Sequence, residues 1–148
     1  MNKTSQGTRH QSPRRGELLM LLEAAQDKSA HISQGTIAEL AESLDLSIGE
    51  VYGVASFYSF FSTKPQGRNV IRICRSLPCL LKYAQTIIGS VQKEIGIMPG
   101  ETTPDGKFSF ELTNCIGACD KAPAMMVNND VHGDLTPKKI AKILQAYK

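Results

Sequence analysis

Cys74 and Cys79 enclose four residues, Cys115 and Cys119 enclose three, and the chain holds no other cysteine. Thiolates are ligands for soft metal centres, and four of them hold the two irons of a 2Fe–2S cluster. The pattern therefore reads first as an electron-transfer site. Structural zinc is the competing reading, because zinc sites accept pairs separated by about two to four residues. The tightest zinc knuckles use two intervening residues, and neither pair here does. Disulfides belong to oxidising compartments and small secreted domains. The one early apolar run, Leu18 to Leu22, is too short for a signal-peptide core. Thiol–disulfide exchange uses a Cys-x-x-Cys pair, which this sequence lacks.

The residues between the cysteines suit a cluster wall. Gly117 and Ala118 leave the backbone open, so peptide N–H groups can approach sulfur, and such hydrogen bonds tune a cluster's reduction potential. Pro78 removes one donor and stiffens the first loop. Leu77, Leu80 and Ile116 are expected to exclude water. His10, His31 and His132 are scattered along the chain and read as surface residues rather than ligands.

The elements that must position these thiols fall into two patterns. Residues 14 to about 63 read as helical. Glu17 to Ala25 presents a wide apolar face. Ser33 is a candidate N-cap for a helix carrying Ile37, Leu40, Ala41 and Leu44 at helical spacing. Ser47 with Glu50 predicts a capping box, opening a helix expected to run through Val51, Val54 and Phe57 to Phe61. Lys64 to Gly67 breaks the pattern and marks a boundary. Beyond it, Val70, Ile71 and Ile73 predict a buried strand ending at Cys74. Leu80 to Ile95 predicts one helix, stopped at Gly96. Phe108, Phe110 and Leu112 alternate as a half-buried strand that runs into Cys115. Ala124 to Val127 predicts a short strand and Asn128 to Asp130 a turn into another. Thr136-Pro137 opens a last helix with Ile140, Ile143, Leu144 and Tyr147 as its buried stripe. Strands and helices in this order make a small α/β sandwich. Both cysteine pairs begin where a strand ends, so two loops at one end of the sheet converge on one site.

Composition narrows the partners. The chain has 148 residues and a formal net charge of +3, enough for one or two small cores and too little charge to argue for nucleic acid or lipid. No apolar run reaches the length of a membrane span. The first fifteen residues are polar and basic, with no acid before Glu17, and read as a frayed tail rather than a transit peptide, which should be amphipathic. Thr36 to Tyr52 imitates a helix-turn-helix. Yet no Lys or Arg lies between Ser33 and Thr63, while Glu39, Glu42, Asp45 and Glu50 are acidic, and phosphate contacts need cations. The second helix instead carries Tyr52, Phe57, Tyr58, Phe60 and Phe61, five of the chain's nine Phe and Tyr residues. A stripe this wide suits a core and can also cover a partner.

Taken in order, EVYGVASFY (50–58), Cys-x4-Cys (74–79), PGETTPDGKF (99–108), CIGACD (115–120), Ala122-Pro123 and Leu135-Thr136-Pro137 resemble the thioredoxin-like 2Fe–2S ferredoxin family. That family includes the E (24 kDa-type) subunit of NADH:quinone oxidoreductase and equivalent subunits of NAD-linked hydrogenases and formate dehydrogenases. The resemblance implies an α+β chain, a helical bundle over 14–65 and then a thioredoxin-like α/β domain over 68–148; the polar, basic composition makes 1–13 a disordered tail before them. The resemblance carries one 2Fe–2S cluster onto Cys74, Cys79, Cys115 and Cys119. It also implies an FMN- and NADH-binding flavoprotein subunit and a further iron–sulfur subunit as partners, with no nucleic acid and no direct membrane insertion. Two departures stand out. Arg-Ser-Leu-Pro fills the first pair, and Leu-Leu-Lys-Tyr-Ala follows it, placing Tyr83 where relatives carry a small residue.

The expected function is that of a non-catalytic electron-transfer subunit in an NADH-oxidising or NAD-reducing complex, cytoplasmic in a bacterium and peripheral to the inner membrane through its complex. No Gly-rich dinucleotide fingerprint follows a strand, so NADH is expected to bind elsewhere. The alternatives are a free-standing 2Fe–2S ferredoxin and a structural zinc protein.

Overall fold

The computed structural model describes residues 16–147; the tail expected over 1–13 lies outside them. The chain divides between Thr63 and Lys64 into two compact units.

The first unit holds three helices, α1 (Leu18–Ser29), α2 (Gln34–Leu44) and α3 (Ile48–Phe57). Their junctions follow from short polar residues. The Ser33 hydroxyl accepts the Thr36 N–H at 3.1 Å. Ser47 and Glu50 form the capping box, with Glu50 N–H on Ser47 Oγ at 3.2 Å and Ser47 N–H on Glu50 Oε2 at 3.0 Å. Leu22, Ile32, Val51 and Ala55 are fully buried between the helices, with Leu18, Ile37, Ala41 and Leu44 around them. Burying each Leu or Ile contributes about 1.5–3 kcal/mol.

The third helix is shorter than its sequence pattern suggests. It ends at Phe57, and Tyr58 turns to an extended conformation. The returning chain is held instead by Gln26, which donates to Phe60 O at 2.8 Å and accepts the Ser62 N–H at 2.7 Å. That tie turns Phe61 inward and leaves Phe57 80% exposed.

The second unit is a four-stranded sheet in the order β2-β1-β3-β4, from β1 (Asn69–Cys74), β2 (Phe108–Thr113), β3 (Met125–Val127) and β4 (Asp130–His132). β1 and β2 run parallel; β3 is antiparallel to β1 and β4 to β3. A parallel pair needs a crossover, supplied by α4 (Leu77–Leu81) and α5 (Ala84–Ile95). The last helix, α6 (Pro137–Gln145), is capped by Thr136. Ile87, Ile88 and Val91 of α5 and Ile140 and Leu144 of α6 share one core with Ile71, Ile73, Phe108, Phe110, Met125 and Val127 of the sheet. Both helices therefore cover the same sheet face.

The opposite face is polar but not bare. Arg72 pairs with Glu111, its register partner on β2, at 3.1 Å. Ser109 is buried, accepts the Gly67 N–H at 2.7 Å and meets the Thr102 hydroxyl at 2.6 Å. The chain passes so close here that a Cβ on Gly67 would lie 2.8 Å from the Phe108 carbonyl carbon. β2 is thus covered on both faces rather than half-buried, because the segments before β1 and β2 fold across its polar side.

The helix expected over 80–95 is two helices. Lys82 and Tyr83 interrupt it, with Tyr83 at φ 64°. Leu80 consequently leaves the buried stripe and is half exposed, while Ala84, Ile87, Ile88 and Val91 keep it.

Candidate metal centre

The strand ends place the thiols. Cys74 closes β1, and its N–H donates to Ala124 O at 3.2 Å. Arg75 N–H continues the pairing with β2 through Thr113 O at 2.9 Å. The chain then enters α4 at Ser76, whose carbonyl takes the Leu80 N–H at 3.0 Å. This single turn carries Cys79 back toward Cys74, and both are buried.

Cys115 lies two residues beyond β2, and Cys119 opens a short 3-10 turn. Between them Gly117 holds φ +83° and points its N–H at Cys115 Sγ, 3.4 Å away. The two sulfurs of this pair stand 3.3 Å apart, and both cysteines are exposed. The loop from β4 to α6 backs this segment: Asp134 N–H donates to Lys121 O at 2.6 Å and Leu135 N–H to Pro123 O at 3.2 Å. A Cβ on Gly133 would overlap Lys121, so this glycine permits the close approach. The Ala122–Pro123 peptide between these anchors is cis.

The two loops meet. Cys74, Cys79, Ala84 and Ala124 are buried together, and Ile116, Ala118 and Ala122 of the second loop pack against them. All four thiols are free. Among the described residues no three His, Cys, Asp or Glu side chains converge on a single-ion position. The sulfurs instead form one buried and one exposed pair, the arrangement that suits two irons with two thiolates each.

Electrostatics sets a requirement on that group. Burial pushes the Cys74 thiol up, but hydrogen bonds from the Ser76 N–H, the Cys79 side chain, the Ser76 hydroxyl and the Ile116 N–H outweigh it and leave the thiol below its ordinary range. Burial pushes Cys79 up to about 11, with the negative charges of Cys74 and Cys119 adding to it. Cys119 is raised by its hydrogen bond with Cys115, then by burial and by the charges of Cys115, Cys74 and Asp120. A metal ligand must be the thiolate. Four thiolates here would repel one another unless a cationic centre lay among them, and a 2Fe–2S cluster held by Cys74, Cys79, Cys115 and Cys119 would supply that charge. The donor set therefore fits a 2Fe–2S cluster.

The four cysteines expected from the sequence lie on two loops that the fold brings together, but part of the expected wall lies elsewhere. Ile116 packs against the site, whereas Leu77 and Leu80 face solvent. Successive residues of a helix are turned by about 100°. With Cys79 aimed inward, Leu77, Leu80 and Leu81 must point away from it. Ala84, Ala122 and Ala124 line the site instead. Gly133 and Ser76 also shape the site; a glycine after the β4 segment and a serine before a Leu-Pro helix start are their only sequence signals.

A family model described as thioredoxin-like [2Fe-2S] ferredoxin matches residues 4–148. The chain is 38% identical over 138 residues to the E-type subunit of the NADH-quinone oxidoreductase of Pseudomonas aeruginosa, covering 93% of this chain and 83% of that one. It is 34% identical over 132 residues to the HndA subunit of the NADP-reducing hydrogenase of Solidesulfovibrio fructosivorans, covering 89% of this chain and 77% of that one. An NAD+-reducing [NiFe]-hydrogenase solved in the H2-reduced state shares the architecture with a TM-score of 0.76 at 26% identity. That match covers 88% of this chain and 22% of the longer hydrogenase chain.

Proposed function

This chain belongs to the thioredoxin-like 2Fe–2S ferredoxin family, and from that premise we propose that it is the electron-transfer subunit of a flavin and iron–sulfur complex that oxidises NADH or reduces NAD(P). Its cofactor is one 2Fe–2S cluster. Cys74 and Cys79 would hold one iron, and Cys115 and Cys119 the other. The observation that carries the reading is the convergence of two strand-end loops on four free thiols, one pair buried and the other exposed. Similarity to subunits named for NADH-quinone oxidoreductase and for an NADP-reducing hydrogenase supports the choice of complex.

The bound cluster supplies reversible one-electron chemistry. The chain's own residues set its conditions. Ala84, Ala122, Ala124 and Ile116 keep water from the first pair. The Ser76, Ile116 and Gly117 N–H groups are directed at cysteine sulfurs, where they stabilise negative charge and favour the reduced state. The parallel β1–β2 pair fixes the separation of the two loops. Hydride carries two electrons and the cluster takes one, so a flavin on a partner must divide them. We assign that partner to the exposed aromatic face of α3, where Leu18, Leu19, Val54, Phe57 and Tyr58 line a groove. Among the described residues no helix is long and apolar enough to cross a membrane.

The test is anaerobic. Cluster-loaded protein is mixed with excess NADH while the visible band and the reduced-cluster EPR signal are followed, and the flavoprotein subunit is added afterwards. Reduction is expected only after that addition. Rapid bleaching by NADH alone would show that this chain oxidises NADH itself and overturn the carrier reading.

A further inference from the structure

The cysteine end exposes more hydrocarbon than a water-excluding wall requires. Leu77, Leu81 and Tyr83 are 65%, 71% and 77% exposed, and Leu80 is half exposed, although Cys79 in their midst is 1% exposed. Exposed single apolar residues are ordinary; four within seven positions, wrapped around a buried ligand, are a patch. Tyr83 adds a second observation. It is a bulky residue held at φ 64°, a conformation that costs free energy and gathers at functional sites. An aromatic ring held outward at that cost is poised as an interface anchor.

The charges on the patch's own segment and on the second cysteine loop select its occupant. Arg75 and Lys82 flank it in sequence, and Lys121 follows the second cysteine loop; Asp120 is the one acid in segments 74–83 and 115–121, and all four are exposed. A second copy docked symmetrically would set base against base, which is costly at an interface. An acidic partner is complementary.

We propose that the Leu77–Tyr83 collar is a second docking surface for the flavoprotein partner, besides the α3 face, and that the matching face of the partner has an apolar centre and an acidic rim. This rests on the functional reading above and names the surface through which electrons reach the Cys79 end of the site. It is distinct from the α3 groove, which carries no base in its surroundings between Ser33 and Thr63.

The experiment titrates full-length, cluster-loaded protein with the flavoprotein subunit from the same source, at low and at high salt, using the wild type, Leu81→Glu, Tyr83→Ala and Lys82→Glu. All three side chains face solvent, and an unchanged visible spectrum checks that each variant keeps its cluster. The wild type should bind more weakly as salt rises. Leu81→Glu and Tyr83→Ala should each weaken binding by about tenfold or more, and Lys82→Glu should weaken it at low salt. Binding of Leu81→Glu and Tyr83→Ala like the wild type would overturn the collar while leaving the functional reading intact. Tighter binding by Lys82→Glu would overturn the acidic rim. Wild-type self-association that Leu81→Glu abolishes would make the occupant a second copy instead. Failure of the wild type to bind the flavoprotein at all would remove the functional reading, and the collar with it.

Discussion

Replacing Tyr83 by glycine should make this protein more stable, although the substitution deletes an aromatic side chain. The left-handed conformation costs a residue with a Cβ about 1–2 kcal/mol, and Tyr83 adopts it at φ 64°. Glycine removes that cost. It also gives the unfolded chain more freedom, which takes back about 0.5–1 kcal/mol. The ring is 77% exposed, so little packing is lost. The backbone bonds at this corner, Tyr83 N–H to Leu80 O at 3.1 Å and Thr86 N–H to Tyr83 O at 3.0 Å, need no side chain. The net gain is about 0.5–1 kcal/mol, or a rise of several degrees in melting temperature for a unit of this size. Tyr83→Ala is the control, because alanine keeps the Cβ and the backbone cost. Thermal melts of the cluster-loaded protein, followed anaerobically by far-ultraviolet circular dichroism with the visible band recorded in parallel, separate unfolding from cluster loss. Tyr83→Gly should melt above the wild type and Tyr83→Ala at or slightly below it. If the glycine variant melts no higher than the alanine variant, the strain argument is wrong.

Cys74, Cys79, Cys115 and Cys119, each replaced by alanine, should lose most of the iron and acid-labile sulfide; full retention in any one variant removes that residue from the ligand set. Phe57→Ala should leave stability within about 0.5 kcal/mol, because the ring is 80% exposed, yet weaken co-purification with the flavoprotein by about tenfold or more; undiminished recovery would rule out the α3 face. Asp105 accepts the Thr103 hydroxyl at 2.6 Å and the Lys107 N–H at 3.0 Å, which hold its carboxyl below the usual aspartate range. A lowered native pKa gives a contribution present above the ordinary aspartate range and lost as pH falls through the native value. Urea midpoints of the wild type and Asp105→Asn should therefore differ near neutrality and converge in acid; an equal gap at both would refute the assignment.

Features fixed by near neighbours were legible in the sequence. The Ser33 cap and the Ser47–Glu50 capping box bind partners three residues away, so spacing alone reveals them. The thiol positions were legible because each pair follows a strand. What escaped depends on distant chain. The end of α3 is set by Gln26, which is 34 residues from Phe60. The covered polar face of β2 depends on Gly67 and Thr102 reaching Ser109. The break at Tyr83 was invisible because the apolar period of Leu80, Ala84, Ile87, Ile88 and Val91 continues across it; periodicity reports side-chain spacing and is blind to one residue of reversed φ. Gly133 was missed because its close neighbour, Lys121, is twelve positions earlier and on another element.

The wall of the site follows from the geometry of α4. A one-turn helix cannot aim a cysteine at a metal centre and also aim its leucines there, since the turn sends residues on either side of Cys79 outward. The chain resolves the conflict with small residues: Ala84, Ala122 and Ala124 pack against the buried Cys74 and Cys79, where their size would leave room for a cluster. The leucines of α4 are then left on the outside with Tyr83, flanked in sequence by the exposed Arg75 and Lys82. A ferredoxin acting alone would gain from polar residues at those positions, because exposed apolar patches invite aggregation. Keeping Leu77, Leu81 and Tyr83 there is consistent with a surface that is covered in use. The same turn that buries Cys79 beside Cys74 therefore builds the collar that a partner would close.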